Sequence, residues 1–231
     1  LHVRSRRQRQ MCIRDRHYAG GIRQFVEHIH KSRGFTSLSG DVIYISGTEG
    51  DSMAEIAMQY NESYNELVLS FANNIHTTDG GTHEIGFKNA LTKVINEYGK
   101  KFNLLKENVR LLGDDVREGL TAIISVKLTE CEFEGQTKGR LGNPSVKPFI
   151  EKLVNEKLMN FLEENPAVAR AIFDKSLSAQ KAREAAKKAR DLTRRKTAMN
   201  SVSLPGKLAD CSERGVEGTE IYIVCLLYTS D

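Results

Sequence analysis

From Leu120 to Leu128 apolar and polar positions alternate. Leu120, Ala122, Ile124, Val126 and Leu128 fall on one face, and Thr121, Ser125 and Lys127 fall on the other with Ile123 among them. That period of two predicts a strand covered on most of both sides. After a glycine-punctuated run, the period lengthens. Val146, Phe149, Ile150, Leu153, Leu158, Phe161 and Leu162 recur at helical spacing, and Asn143-Pro144-Ser145 offers a cap and a first-turn proline. The stretch Gly135-Gln136-Thr137-Lys138-Gly139 therefore reads as a loop fixed at both ends by buried elements, with Lys138 at its tip. On its own, one loop lysine carries no ligand signature, and a solvated side chain is the plainer reading of Lys138.

The same reading runs along the rest of the chain. Gly21 to Lys31 predicts a short helix with Ile22, Phe25, Val26 and Ile29 on one face. Its His28 and His30 stand two apart, diverge on a helix, and are read as surface histidines rather than a metal pair. Asp41 to Ser46 predicts a strand, and Gly47-Thr48-Glu49-Gly50-Asp51 predicts a turn. That turn lacks the Lys-Ser/Thr ending of a phosphate-binding loop. Ala54, Ile56, Met58 and Tyr60 alternate with Glu55, Ala57 and Gln59, and Leu67, Leu69 and Phe71 alternate with Glu66, Val68 and Ser70. These two runs are expected to fold back on each other around Asn61-Glu62-Ser63 as an antiparallel hairpin. Thr82 is expected to cap the next helix, where Phe87, Leu91, Val94, Ile95 and Tyr98 form the core stripe, while Lys88 and Lys93 lie off it. Gly99 to Gly113 reads as a charged, mobile connection. Three strands, a helix and another strand make an α+β order.

Past Asn165-Pro166 the helix restarts and its charge changes. From Lys181 to Lys196 eight basic residues stand against two acidic ones, a local net of +6, with alanines at 179, 182, 185, 186 and 189. Such a run is usually a solvated face, but its charge also suits phosphate backbones, without base readout because no aromatics interleave. The whole-chain charge of +4 is mild, and the 39% hydrophobic content suffices for a buried core. No stretch approaches the roughly 20 apolar residues of a membrane span. Residues 1–16, crowded with arginine and without apolar period, and residues 225–231 resemble translated sequencing-adapter read-through, and are set apart from the fold. Of the four cysteines this leaves Cys131 and Cys211, without zinc spacing, which read as reduced cytosolic thiols.

The run Gly135-Gln136-Thr137-Lys138 followed by Leu141-Gly142-Asn143 resembles the Gln-Thr-Lys loop of the bacterial DNA gyrase B family and its near relative in topoisomerase IV. Similar wording occurs in Asn73-Asn74-Ile75, Asp79-Gly80-Gly81-Thr82-His83, Asp115-Val116-Arg117-Glu118-Gly119-Leu120, Ala182-Arg183-Glu184-Ala185-Ala186 and Leu204 to Cys211, so that the resemblance extends from Tyr18 to Val224. It implies that residues 17–200 form a transducer domain like domain 2 of ribosomal protein S5. Such a domain is a mixed sheet with helices on one side, ending in a long basic helix. Residues 201–224 would begin a truncated Toprim domain, with Glu220 to Val224 as its first strand.

The resemblance also implies roles. Gln136 and Lys138 would reach the γ-phosphate of ATP, Lys138 as a catalytic group, because a lysine touching only that phosphate distinguishes ATP from ADP. Lys88, free to point outward, and Arg194 would face a DNA duplex. ATP and Mg²⁺ would be held mainly by other parts of the parent protein, with no metal ligand here. Cys225 stands where the family has a glutamate, so this chain by itself is expected neither to hydrolyse ATP nor to cut DNA. The implied partners are DNA and the gyrase A protein in an A2B2 heterotetramer, with dimerisation through an upstream ATP-binding domain, in the cytoplasm. The corresponding ATPase protein of topoisomerase IV is the near alternative. A non-enzymatic α+β module that binds nucleic acid is the other.

Overall fold

The computed structural model describes residues 20–38, 40–105 and 109–201, with side chains up to Arg194. The expectations for both termini, for Cys211 and for the 220–224 strand lie outside the described residues. The chain divides into two compact units, Leu1–Arg183 and Glu184–Asp231.

In the first unit, helix α1 (Gly21–Arg33) precedes strands β1 (Ile43–Glu49), β2 (Ser52–Tyr60), β3 (Leu67–Ala72) and β4 (Ile75–His76). Helix α2 (Thr82–Lys101), the one-turn α3 (Gly113–Arg117) and strand β5 (Leu120–Lys127) follow. The short pair β6 (Phe133–Glu134) and β7 (Arg140–Leu141) leads to α4 (Val146–Glu164) and the start of α5 (Pro166–Ser201). In the second unit, the described residues are the end of α5, exposed from Glu184 to Arg194.

The sheet order is β1-β2-β5-β3-β4. The hairpin expected between β2 and β3 does not form. β2 pairs antiparallel with β1 on one edge and with β5 on the other, and β3 runs parallel to β5. The physical reason is burial: all of β5 except Lys127 is buried, so it must lie between two partners. A β2–β3 hairpin would leave it on an edge. The connection after β2 is held away from a hairpin by Asn61, which is buried, donates to Thr121 Oγ1 (3.1 Å) and accepts from the Ser63 N–H (2.8 Å). The hairpins that do form are local. β1 runs on through Gly47 to Glu49, further than the pattern predicted, and turns at Gly50-Asp51. β3 turns into β4 through Asn73 and Asn74, both at positive φ (46° and 65°), as a two-residue type I′ turn requires.

Both faces of the sheet are covered, in place of the one-sided arrangement expected. Ile56, Met58, Ala122, Ile124 and Val126 join the large core with α2 and α4, while Ala57 and Ile123 point to the opposite face and pack under Val26 and Ile29 of α1. Alternate positions of β2 and β5 are apolar on both sides, so each side needs a helix. The expected α2 stripe is buried throughout. Its first residue is Thr82, with Gly81 rather than Thr82 in the capping position and no side-chain cap. The connection after α2 is anchored rather than loose: Leu105 and Leu111 are buried, and Asn96 both donates to the Leu111 carbonyl (3.1 Å) and accepts from its N–H (3.0 Å). The α4 stripe is buried as expected except for the half-buried Phe161. Asn165 then breaks the helix before α5, whose Ala169, Ile172 and Phe173 join the core.

Candidate nucleotide-sensing loop and its supports

The loop between β6 and β7 is built by a two-residue pairing, Phe133 opposite Leu141 and Glu134 opposite Arg140. Below it, the Gly142 N–H donates to the Glu132 carbonyl (2.8 Å), and Asn143 clamps the base by accepting from the Glu132 N–H (2.9 Å) and donating to the Glu130 carbonyl (3.1 Å). Asn143 thus serves the loop and leaves α4 without a side-chain cap. Gln136 and Lys138 are both exposed. Lys138 stands at φ 54°, in the left-handed region that non-glycine residues rarely occupy, and its ammonium lies 6.0 Å from the centre of the Phe133 ring. No ion pair to Lys138 is present among the described residues. The loop therefore offers an amide and a cation to an incoming anion. Burial pushes the nearby Cys131 thiol pKa up, against the opposing pull of the Lys138 charge.

The loop's far side leans on the turn before α2. The Asp79 N–H donates to the Gly139 carbonyl (2.9 Å), and the Leu141 N–H donates to the Gly80 carbonyl (3.2 Å).

Lys88 lies off the apolar stripe, but it is not free to point outward. Its ammonium is 2.8 Å from Glu66 and 2.9 Å from Glu84, with the side chain 29% exposed. Burial favours the neutral amine, yet the hydrogen bonds to both carboxylates outweigh it and hold the Lys88 pKa above the ordinary value. Burial likewise opposes charge on Glu66, and Lys88 and Arg117 overcome it to lower that pKa. Glu84 precedes Lys88 by one helical turn, and Glu66 arrives from the connection into β3, a contact invisible in the local sequence. Lys88 and Lys138 stand on different elements, α2 and the loop between β6 and β7. The structure joins their surroundings through Glu84 and the turn. Arg194 is exposed at the end of α5.

Along the outer side of α2 runs a groove of about 590 Å³ that Lys88 shares with Lys93, Lys100, Arg110 and Arg117. Sequence reasoning missed Lys100, Arg110 and Arg117, which come from α2, the connection after it and α3, and show no common period. Among the described residues, no group of three or more His, Cys, Asp or Glu is placed to hold a metal ion, and no helix is long and apolar enough to cross a membrane.

The fold is shared with ATP-binding domains of bacterial type II topoisomerase proteins. The chain superimposes on the 43K ATPase domain of Thermus thermophilus gyrase B, solved with an aminocoumarin, with a TM-score of 0.69 and 41% identity, covering 75% of this chain and 46% of that one. It also superimposes on the topoisomerase IV ATP-binding domain of Francisella tularensis with a small-molecule inhibitor, with a TM-score of 0.63 and 30% identity, covering 73% of this chain and 44% of that one. The chain belongs to the DNA gyrase B family, whose model matches residues 21–192. It is 53% identical over 210 residues to the DNA gyrase B protein of Clostridium acetobutylicum, covering 90% of this chain and spanning 33% of that relative's length.

Proposed function

We propose that this chain is the segment of a DNA gyrase B protein that senses the nucleotide and transmits its state to DNA passage. The observation that carries this reading is the loop. Within a family of ATP-driven topoisomerase proteins, it presents Gln136 and Lys138 to solvent on a short β-pair held at base and flank. Lys138 is the group that meets the γ-phosphate of ATP, with Gln136 beside it. A flexible amine at an exposed tip gains a charge-assisted partner when a triphosphate arrives and loses it after hydrolysis. When bound, ATP supplies the phosphoryl chemistry. The chain's own residues bind, orient and report. Mg²⁺ accompanies the nucleotide and is held by residues other than those described. The domain assignment follows the resemblance: residues 17–200 as the transducer and 201–224 as the start of a Toprim domain.

DNA is the second ligand. The α2 groove and the exposed end of α5 supply phosphate contacts, Arg194 as an exposed charge and Lys88 from within its carboxylate pair. The assembly is an A2B2 gyrase heterotetramer in the cytoplasm, acting on duplex DNA with negative supercoiling as the outcome. The experiment places residues 21–192 in the corresponding position of a gyrase B relative and compares it with Lys138→Ala. One charge-assisted contact is worth about 1.5–3 kcal/mol, so ATP turnover is expected to fall by about 10- to 150-fold with nucleotide affinity nearly unchanged. Equal turnover by both proteins overturns the reading.

A further inference from the structure

Resting on the reading of Lys138 above, we infer that the turn formed by residues 77–81 is the seat that positions the Lys138 loop, with Gly81 as its positioning residue. Two hydrogen bonds tie the loop to this turn within three residues of Lys138. The Asp79 N–H donates to the Gly139 carbonyl, and the Leu141 N–H donates to the Gly80 carbonyl (2.9 and 3.2 Å). Gly81 itself lies flat against β7 and forms a parallel bridge with Leu141. Its φ of 146° is glycine's, and a Cβ there would stand 2.5 Å from the Leu141 carbonyl oxygen and 2.6 Å from its nitrogen. The obstacle is backbone on both sides, so no rotamer relieves it. A side chain at position 81 must push β7 away, and Lys138 with it.

The turn can serve as a seat because it is rigid underneath. The Thr77 N–H donates to the Ser70 carbonyl (2.9 Å), and the Thr77 and Ser70 hydroxyls lie 2.7 Å apart. Ser70 Oγ donates to Glu84 (3.0 Å), and Thr77 Oγ1 is 3.2 Å from His83 Nε2. Ser70, Thr77 and His83 are buried, so this network joins β3, the turn and the start of α2 through direct contacts. By contrast, residues 135–138 are exposed. A tip without cover needs a fixed seat to present its lysine in one place.

The test uses residues 21–192 placed in the corresponding position of a gyrase B relative. Gly81→Ala should slow ATP turnover by about 10- to 100-fold, the scale of a misplacement near 1 Å. Nucleotide affinity should stay unchanged, and the Asp79 and Leu141 amides should lose their hydrogen-exchange protection. Combining it with Lys138→Ala should slow turnover no further than Lys138→Ala alone. Gly86→Ala is the structural control, since its Cβ meets the Lys147 carbonyl at 2.8 Å where α2 packs on α4. It should lower the melting temperature and leave turnover per folded molecule as in wild type. If Gly81→Ala does not fold, Thr77→Val removes the buried hydroxyl under the turn and should slow turnover several-fold, again at constant nucleotide affinity. A folded Gly81→Ala protein with wild-type turnover and protected amides overturns the inference while Lys138→Ala remains slow, and so does a folded Thr77→Val protein with wild-type turnover if Gly81→Ala cannot be made. If Lys138→Ala itself has no effect, the reading beneath the inference is what fails.

Discussion

Acidification should destabilise this protein through His83, and the burial of the ring sets the size of the effect. His83 is the second residue of α2 and is 0% exposed; its Nε2 lies 3.2 Å from Thr77 Oγ1, while its Nδ1 has no hydrogen-bond partner among the described residues. Burial lowers its pKa from 6.5 to about 4, against a smaller upward pull from the Glu84 carboxylate. The unfolded chain therefore binds a proton between these values that the folded chain refuses. The stabilising share of His83 is fully present above pH 6.5 and is lost as pH falls toward about 4. At about 1.36 kcal/mol per unit, the gap amounts to about 3 kcal/mol in all, and about 2.5 kcal/mol is gone by pH 4.5. The assay is urea unfolding of wild type and His83→Gln from pH 7.5 to 4.5. Glutamine keeps a donor for Thr77 and does not titrate. The difference between the two proteins cancels the carboxylates and the other histidines, including His30, whose pKa burial also lowers. Wild type should lose about 2.5 kcal/mol relative to the variant across that range. Parallel curves would refute the claim that His83 is buried as the neutral ring.

Other perturbations have equally definite outcomes. Arg183 donates to both oxygens of the buried Asp115 (2.8 and 3.0 Å), so Arg183→Ala strands a carboxylate whose remaining donor is the Leu112 N–H. Urea titration should show a loss of about 2–4 kcal/mol, at the lower side of the range for broken buried pairs because Arg183 is itself partly exposed. Lys93→Ala removes an exposed pair with Glu97 at 3.9 Å and should change stability by less than about 0.5 kcal/mol. In titrations of random-sequence duplex, Arg194→Ala should reduce the log-log salt slope by about one unit. Lys88→Ala should reduce it less and lower stability more, because it leaves Glu66 and Glu84 facing each other without their shared cation. Equal slopes for wild type and Arg194→Ala would mean that this residue does not touch DNA.

The elements were legible where one local period dominates. The α2 and α4 stripes and the β5 alternation each follow from side chains within a single segment, and each is buried almost as read. The partnership of strands was not legible. Leu67, Leu69 and Phe71 alternate in the same way whether β3 pairs with β2 or with β5. The choice falls to β5, some 50 residues away in sequence, whose burial on both faces leaves it no edge position. Cover on both sides of β5 was legible in its pattern, but not that α1 supplies the second cover, because Ala57 and Ile123 meet Val26 and Ile29 only in the fold. The exposed loop that carries Gln136 and Lys138 was legible through its glycine frame. The carboxylates that hold Lys88 were not. Glu84 sits at an ordinary helical spacing, and Glu66 belongs to another segment. The turn that supports the loop showed only a glycine pair in the sequence. Its role follows from the approach of Leu141, which no spacing rule encodes.

For the loop to sense nucleotide, Lys138 must meet a γ-phosphate, and lysine-acylation footprinting reads that contact directly. With residues 21–192 in place within a gyrase B relative, a nonhydrolysable ATP analogue should protect the Lys138 amine strongly, while ADP at saturating concentration should leave it as reactive as in the free protein. Protection by both nucleotides alike, or by neither, would contradict a γ-phosphate contact at Lys138.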